Sequence, residues 1–576
     1  MPTEIHRAWW KETTIYHIYP RSFYDTSGDG LGDLPGITQQ LEHIRDLGAG
    51  AIWMGPVFRS PQVDNGYDIS DYRDIDPLFG TLDDMVALIA RAHDLGLKVL
   101  LDLVLNHTSD QHFWFQEALK DPGSPYNDYY IWAEPAPGGG PPNNWRSFFS
   151  IPAWSYVEER NRYYLHLFTP EQPDLNWDNP AVRREVAEIA NFWLERDVDG
   201  FRLDVINMIS KKPGLPSLTE GRRSGVFIDG PKTLEYLQEF RRSLRTEKKL
   251  VLVGETPGVT PEAARSYTDP ANQALDMVLL FDHLEVDHGP SGRWEPREWR
   301  IADLGDVVEQ WQNHLDAPSW PPLYLSNPAQ PRVVSRYGDD REYRRLSAMA
   351  LATAFYLQRG TPIVYQGEEI GMKNYPLSSP DEILDVETKN AFLDLVKEQG
   401  LSEAVALERV AREARDNSRT PMQWSSAPYA GFSKSPPWFP VNPDFRDWNV
   451  AAQARSRESV LAFYKRLLSL RQRTAALIYG SYRRWEPAGD QASPVFAFTR
   501  DLPSEEAGPR RVLVAANLSG AHGTTALPPA FLHENAPLRT LLSNYLFAEG
   551  DSEPREGNDD HRTHISLRPW EAVVLA

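Results

Sequence analysis

Short apolar segments that end in polar residues recur along this chain, and helical patterns separate them. In the segment 200–205, Phe201 and Leu203 alternate with Arg202 and Asp204, which is the period of a strand. The strand candidates are residues 14–19, 51–54, 98–104, 200–205, 250–255, 277–282, 323–327 and 362–366. Eight strands that alternate with helices predict an α/β fold, a parallel (β/α)8 TIM barrel with its active site at the C-terminal ends of the strands. A doubly wound sheet also alternates, but no Gly-rich phosphate loop follows the first strand.

The segments between the strands carry helix signals. Thr81 and Asp84 form a Thr-x-x-Asp capping pattern, and an apolar face follows before Gly96 ends the helix. Similar patterns cover residues 181–197, 344–360 and 458–473. These helices are predicted to cover the outside of the barrel.

Two insertions interrupt this alternation. Residues 106–173 are loop-rich and aromatic, with a Pro/Gly run at 135–142, and predict a small inserted domain after the third strand. Residues 373–455 predict a flap after the eighth strand, so the catalytic barrel is assigned to 1–105 and 174–478. Alternating runs replace the helical patterns in 479–576 and predict a C-terminal β-sandwich domain.

Composition excludes several classes of protein. The net charge is −21, whereas a nucleic-acid binder would show a basic excess. Cysteine is absent, which excludes disulfides and thiolate metal sites and fits a reduced compartment. The chain has no apolar run of about 18 residues and no signal-peptide pattern. We expect a soluble cytoplasmic protein, without nucleic-acid or membrane partners, that is a monomer or a weak homo-oligomer.

Two carboxylates end two successive strand candidates. Asp204 ends the fourth and Glu255 ends the fifth. Arg202 precedes Asp204 by two residues, and a guanidinium at that position orients a carboxylate and favours its ionised form. Glycoside hydrolysis requires such a pair, with one carboxylate as nucleophile or base and the other as proton donor.

Further motifs in the same order make the chain resemble the α-amylase family of glycoside hydrolases, specifically its oligo-1,6-glucosidase and α-glucosidase branch. The matching motifs are residues 9–12, 18–23, 64–69, 102–108, 172–176, 200–205, 250–255 and 415–424. The resemblance implies a retaining, exo-acting α-glucosidase, in which Asp204 forms a covalent glucosyl-enzyme and Glu255 is the acid and base. It also implies that the substrate-binding residues are Asp64, Tyr67, His107, Phe168, Arg202 and Arg415.

The resemblance also bears on the substrate, a small α-glucoside. Val205 follows the nucleophile and matches members that favour α-1,6 bonds, so we expect short isomaltose-like glucosides, with sucrose or α-1,4 oligosaccharides as further possibilities. A single side-chain difference changes specificity by only about 1–3 kcal/mol. Two alternatives stay open: a transglucosylase or sucrose isomerase, which passes the glucosyl group to a sugar, and a non-catalytic carbohydrate-binding relative.

One motif departs from the family. Where the family reads Asn-His-Asp-Gln-Pro-Arg, this chain has Pro328 and Ala329 in place of the His-Asp pair. The resemblance makes that aspartate the third catalytic carboxylate, which holds the 2- and 3-hydroxyls of the sugar. Neither replacement side chain can form hydrogen bonds, so we predict impaired turnover. Three explanations are open: a deliberate inactivation, a naturally weak enzyme or sugar-binding relative, and a shifted register in which Asp339 or Asp340 takes the role.

A loop near the start of the chain places oxygen-bearing residues at alternate positions, with glycines between them. This pattern is typical of a Ca²⁺ or Mg²⁺ loop. The expected ligands are Asp25, Ser27, Asp29, the carbonyl of Leu31, and Asp33. The family has asparagine where this chain has Ser27. We expect a structural ion and no organic cofactor; the alternative is a metal-free turn that caps the next helix.

Overall fold

Eight parallel strands form one sheet at the centre of the protein. The computed structural model describes residues 5–149, 151–219, 225–290, 292–486, 493–503, 508–532, 538–545 and 563–576. The eight strands, β1 to β8, are Ile15–Ile18, Ala51–Met54, Lys98–Val104, Gly200–Asp204, Val251–Glu255, Met277–Leu279, Pro322–Leu323 and Thr361–Tyr365. Their spatial order is β6-β5-β4-β3-β2-β1-β8-β7, and each paired neighbour is parallel. The predicted barrel is therefore confirmed.

The seam between β6 and β7 closes the barrel without a backbone ladder among the described residues. The hydroxyl of Tyr324 donates to the carbonyl oxygen of Leu280 across 2.5 Å, and Nε2 of His283 contacts the Tyr324 carbonyl oxygen at 2.8 Å. β6 and β7 are shorter than the predicted segments 277–282 and 323–327.

Helices surround the sheet and bury its outer face. The longer barrel helices are Leu34–Leu47, Leu82–Asp94, Pro180–Leu194, Thr233–Ser243, Pro261–Thr268, Ile301–His314, Arg344–Tyr356 and Val460–Arg473. Shorter helices are Trp9–Glu12, Val333–Arg336, Val450–Gln453 and Ala475–Tyr479. The predicted cap is present, since Thr81 and Asp84 each accept from the other's backbone N–H. Burial on both faces of the sheet explains why the strands are apolar nearly throughout.

The insertion after β3 forms a small body over one side of the barrel opening. It contains the helix Phe113–Lys120 and a three-stranded antiparallel sheet in which Arg162–Leu165 lies between Trp132–Ala133 and Trp154–Val157. After β2, the antiparallel pair Phe58–Arg59 and Asp71–Ile75 holds a loop over the same opening.

The flap after β8 has its own small apolar core. Its helices Val386–Lys397 and Glu403–Glu413 pack through Ile383, Phe392, Leu395 and Val410. The hairpin of His288–Gly289 and Gly292–Pro296 supplies Trp294 to the same cluster. The flap therefore lies beside the loop that follows β6.

The C-terminal region is rich in sheet. A five-stranded sheet runs in the order Ser481–Arg484, Val495–Asp501, Arg511–Asn517, Ala572–Leu575, Thr540–Ser543, and a separate pair joins Gly523–Ala526 to His564–Leu567. Both sheets contribute to one apolar cluster that includes Leu513, Val573 and Ile565. Within the described residues, no helix is both long and apolar enough to cross a membrane.

Candidate active site

A cavity of about 220 Å³ opens at the C-terminal ends of the barrel strands. Its lining includes every residue that the sequence assigned to catalysis or substrate binding: Asp64, Tyr67, His107, Phe168, Arg202, Asp204, Glu255 and Arg415, together with Ala329. These residues come from β4, β5 and the loops after β2, β3, β7 and β8, so the barrel brings together positions that are far apart in the chain.

Arg202 lies at the centre of the acidic part of the site. Its Nη1 is 2.6 Å from Oδ1 of Asp102 and 2.6 Å from Oδ1 of Asp204, and its Nη2 is 2.5 Å from Oε2 of Glu255. The parallel register places Asp102 beside Arg202 across β3 and β4. Burial opposes the charged guanidinium, but these carboxylates raise the pKa of Arg202 well above its usual value. One buried cation therefore orients both candidate catalytic groups.

The two candidate catalytic carboxyl groups lie side by side, since each contacts a nitrogen of the same guanidinium. Burial is the main cause that raises the pKa of Asp204 to about 6 and that of Glu255 to about 7, and Arg202 opposes both shifts. Asp204 is thus the stronger acid of the pair. Between these values Asp204 is mainly ionised while Glu255 keeps its proton, as a nucleophile and a proton donor require.

Val205 links the two strands that carry these groups. Its φ of 37° is in the left-handed region, which is unfavourable for a β-branched residue. Its backbone N–H donates to Oε2 of Glu255 across 3.2 Å. Backbone strain of this kind persists where the surrounding structure holds it, often at functional sites.

Asp64 and His107 line the cavity and are joined by Gln172 in a hydrogen-bonded cluster. Gln172 Nε2 is 3.3 Å from Oδ2 of Asp64 and 3.2 Å from Nε2 of His107, which also contacts the Tyr67 carbonyl oxygen at 3.2 Å. Burial lowers the pKa of His107 to about 4, so the imidazole is uncharged at neutral pH. Asp102 contacts Arg202 and the Tyr67 hydroxyl, the latter at 3.3 Å, and it does not line the cavity.

Aromatic side chains form the remaining walls. Phe168 stacks on Phe148 with ring centroids 5.5 Å apart and lies 5.7 Å from Phe149. His17 and Trp53 stack at 3.6 Å and also line the cavity. Sequence reasoning missed His17, Trp53, Phe148 and Phe149 as site residues. The only signal for His17 and Trp53 was their place on the first two strands.

The flap closes one side of the site with ionic contacts. Arg415 lies 3.6 Å from Oδ1 of Asp64, 3.4 Å from Oδ1 of Asp385 and 3.6 Å from Oε2 of Glu387. Arg419 Nη1 lies 3.1 Å from the same Asp385 oxygen. Arg419 belongs to the motif 415–424 and could have been selected from the sequence. Asp385 and Glu387 lie outside the quoted motifs.

The loop after β7 places Pro328 and Ala329 in the cavity lining. Arg419 Nε donates to the Pro328 carbonyl oxygen across 2.9 Å, and Arg293 Nη2 donates to the Ala329 carbonyl oxygen across 2.9 Å. The Ala329 N–H donates to Asn327 Oδ1 at 2.8 Å. These bonds fix the backbone of the loop, and the side chain of Ala329 brings no carboxylate to the site.

The alternative acids near this loop lie elsewhere. Asp340 accepts from the Ser335 hydroxyl at 2.7 Å, and Asp339 accepts from the Arg341 N–H at 2.8 Å. Neither aspartate lines the cavity. A shifted register that brings one of them into the third carboxylate's role has no support in this structure.

The candidate ion loop is turned tightly around Asp25. Its carboxylate accepts from the N–H groups of Gly28 and Gly30 at 2.7 and 2.9 Å, and Asp33 caps the following helix by accepting from Gly36 N–H at 2.6 Å. The predicted donors are all oxygens, which suits Ca²⁺ or Mg²⁺. The described residues contain no group of three or more His, Cys, Asp or Glu side chains placed to hold a metal ion. The ion stays a prediction.

Known proteins match this chain along nearly its whole length. A family model described as alpha amylase, catalytic domain, matches residues 17–480. An oligo-1,6-glucosidase from Parageobacillus thermoglucosidasius is 45% identical and covers 99% of both chains.

Solved structures agree with the sequence matches. A trehalose-6-phosphate hydrolase from Bacillus licheniformis has a TM-score of 0.90 and 38% identity, and covers 99% of both chains. An isomaltulose synthase from Klebsiella sp. LX3 has a TM-score of 0.92 and 37% identity, and covers 99% of this chain and 100% of its own.

Proposed function

This chain belongs to the alpha-amylase family of glycoside hydrolases, and we propose that it is a retaining, exo-acting α-glucosidase for short α-glucosides. The observation that carries this proposal is that Asp204 and Glu255 both contact the guanidinium of Arg202. Inverting glycosidases keep their two carboxyl groups about 6.5–9.5 Å apart to admit a water molecule. Two carboxyl groups held by one guanidinium lie closer together than that, which favours the retaining route.

In the first step, an Asp204 oxygen attacks the anomeric carbon as the glycosidic bond breaks, and Glu255 transfers its proton to the leaving oxygen. In the second step, Glu255 takes a proton from water, and that water oxygen displaces Asp204 from the sugar. Arg202 favours the ionised form of Asp204 before the attack and after its release, because it lies 2.6 Å from the carboxylate in a buried site. Atoms and charge balance, and the sugar keeps its α configuration.

The preferred bond is the α-1,6 linkage. Val205 supports this choice because it matches the residue found after the nucleophile in α-1,6-specific members of the family, and the relative from P. thermoglucosidasius is named an oligo-1,6-glucosidase. Sucrose and α-1,4 oligosaccharides are weaker substrates in this proposal.

Turnover is impaired because Ala329 replaces the carboxylate that would bind the 2- and 3-hydroxyls of the sugar. Removing one preorganised transition-state contact costs roughly 10²–10³ in rate, or about 3–4 kcal/mol. The same observation favours a second candidate, a carbohydrate-binding relative without catalysis, although such a protein would not need both Asp204 and Glu255.

The isomaltulose synthase likeness favours another candidate, transfer of the glucosyl group to a sugar. A panel of isomaltose, maltose, sucrose and an aryl α-glucoside, with chromatography of the products, separates the candidates. Glucose released fastest from isomaltose supports hydrolysis with α-1,6 preference. Isomerised sucrose supports transfer, and saturable sugar binding without turnover, even after Pro328 and Ala329 are changed to His and Asp, supports the non-catalytic relative.

The remaining proposals concern the cellular compartment and a structural metal ion. The absence of cysteine supports a reduced compartment such as the cytoplasm. A structural Ca²⁺ or Mg²⁺ would be held by Asp25, Ser27, Asp29, Leu31 and Asp33, where it would stabilise the loop before the helix Leu34–Leu47 and take no part in the chemistry.

A further inference from the structure

A buried lysine lies one side chain away from His107, a substrate-binding residue of the proposed site. Lys211, in the loop after β4, does not line the catalytic cavity and lines a separate cavity of about 280 Å³. Its Nζ lies 2.6 Å from Oδ2 of Asp174 and 2.9 Å from Oδ1 of Asn106, and its side chain is only 5% exposed. Asn106 and Asp174 are fully buried. Lys211 therefore acts on the catalytic cavity only through these two partners.

Lys211 determines which way the amide of Asn106 points. An ammonium group can only donate hydrogen bonds, and an ionised carboxylate can only accept them. Asn106 Oδ1 therefore faces the ammonium of Lys211, and Asn106 Nδ2 donates to Oδ2 of Asp174 across 3.1 Å. The reverse orientation would place the amide NH2 against the ammonium and the amide oxygen against the carboxylate, which is costly in a buried network. The Nδ2 side of Asn106 is thus a fixed donor.

The fixed amide in turn determines where His107 carries its proton. Asn106 Nδ2 lies 3.3 Å from Nδ1 of His107, so Nδ1 accepts. Burial lowers the pKa of His107 to about 4, and a neutral imidazole has one donor and one acceptor nitrogen. The proton therefore lies on Nε2, which is 3.2 Å from the Tyr67 carbonyl oxygen, a group that only accepts. Gln172 Nε2, 3.2 Å from the same nitrogen, has its acceptor in Oδ2 of Asp64.

We propose that Lys211 is a positioning residue that holds His107 in the Nε2–H tautomer, so that a hydrogen-bond donor is available to the sugar in the cavity. The hydrogen bond made by one ring nitrogen of a histidine decides which nitrogen carries the proton. Lys211 controls that bond through Asn106 without touching the sugar itself. The tautomer follows from the contacts above, whereas its effect on substrate binding rests on the proposed function.

Two variants separate the cation from its surroundings. Lys211→Met/Asp174→Asn removes both charges together, so no buried ion is left without its partner. The N–H of Leu167 donates to Oδ1 of Asp174 at 2.9 Å, so the new amide should keep its oxygen there and turn its NH2 toward Asn106. The Asn106 amide should then flip, and the proton of His107 should move from Nε2 to Nδ1. Lys211→Arg keeps a cation that only donates and should keep the tautomer.

The tautomer is read from the ¹⁵N NMR spectrum of the full chain labelled at its 14 histidines. Protonated and unprotonated ring nitrogens have distinct shifts, and a His107→Gln variant identifies the His107 signals. We expect Nε2–H in the unaltered chain, in Lys211→Arg and in Lys212→Met, a control at the exposed neighbouring lysine, and Nδ1–H in the double variant. Nδ1–H in the unaltered chain overturns the proposal even where the double variant does not fold. Nε2–H in a folded double variant overturns it as well.

Sugar binding is measured separately, by calorimetric titration with glucose, which requires no turnover. A donor exchanged for an acceptor at Nε2 should weaken glucose binding in the double variant by roughly two- to tenfold, while Lys212→Met binds as the unaltered chain does. If the tautomer changes but glucose binds equally well, His107 does not bind the sugar through Nε2, and that part of the proposed function is wrong while the positioning role stands. If the unaltered chain does not bind glucose at all, the proposed function fails, and the NMR result alone decides the positioning role.

Discussion

The backbone N–H of Val205 donates to Oε2 of Glu255 across 3.2 Å, which joins the end of β4 to the end of β5. The residue before Val205 is Asp204, so this bond places the two candidate catalytic carboxylates side by side. It is obtained at the cost of a left-handed conformation at a β-branched residue. The geometry for glycoside hydrolysis is therefore built into the backbone as well as into the side chains.

Restoring the family pair tests the cause of the impaired turnover. The double variant Pro328→His/Ala329→Asp should raise kcat/KM on an α-1,6 glucoside by roughly 10²–10³ or more, because the carboxylate returns to the cavity wall. The matched control, Pro328→His/Ala329→Asn, has nearly the same shape without the charge and should gain much less. Equal rates for the unaltered chain and the Asp variant would contradict this explanation.

The pH dependence of kcat/KM follows from the two carboxyl groups. Asp204, with a pKa of about 6, must be ionised, so activity should fall as the pH drops below that value. Glu255, with a pKa of about 7, must be protonated, so activity should fall as the pH rises above that value. The expected profile is a narrow bell between these values, whose limbs belong to the coupled pair. A rate that still increases above pH 8 would be inconsistent with Glu255 as the proton donor.

Removing the charge of Glu255 should stabilise the fold. Burial raises the pKa of Glu255 from its ordinary 4.5 to about 7, so its ionisation destabilises the folded state as the pH rises through that range. Above pH 7, Glu255→Gln should therefore have a free energy of unfolding higher by on the order of 2–3 kcal/mol, seen as a higher Tm. The gain should vanish near pH 4. Exposed Glu247→Gln is the control, with no gain at either pH. A lower Tm for Glu255→Gln at pH 8 would refute this account of the site.

The ion loop gives a prediction about stability alone. Dialysis against a chelator should lower the Tm, Ca²⁺ or Mg²⁺ should restore it, and Asp29→Asn should weaken the recovery, while the exposed Asp46→Asn should not. Metal analysis of the untreated protein gives the ion's identity. If the protein holds no metal and its melting is unchanged, the loop is a cap for the following helix and nothing more.

Sequence patterns predicted the barrel because each strand is apolar, short and followed by polar residues, and these are local properties. They also selected Asp204, Glu255 and Arg202, whose spacing along β4 and β5 brings them together in any closed barrel of this order. The site contributions of Arg293 and Glu387 were not predictable in the same way. Arg293 lies in the hairpin strand Gly292–Pro296 and Glu387 in the flap helix Val386–Lys397. The positions of both elements depend on how the flap packs, and that packing leaves no local pattern.

The sequence also could not predict the backbone conformation at the site. Nothing in the sequence indicates that Val205 has a positive φ, since valine disfavours that conformation. The contacts of Tyr324 and His283 across the seam join segments that only the closed barrel brings together, so the sequence did not indicate them.

The central claim is that Asp204 attacks the sugar while Glu255 donates the proton. A fluorinated α-glucosyl fluoride, which forms the glucosyl-enzyme faster than that intermediate is hydrolysed, tests it directly on the unaltered chain and on the Pro328→His/Ala329→Asp variant. We predict an added mass of one fluoroglucosyl group, mapped by peptide sequencing to Asp204, in the variant and more slowly in the unaltered chain. An adduct on another residue, or none in either protein, would contradict the account.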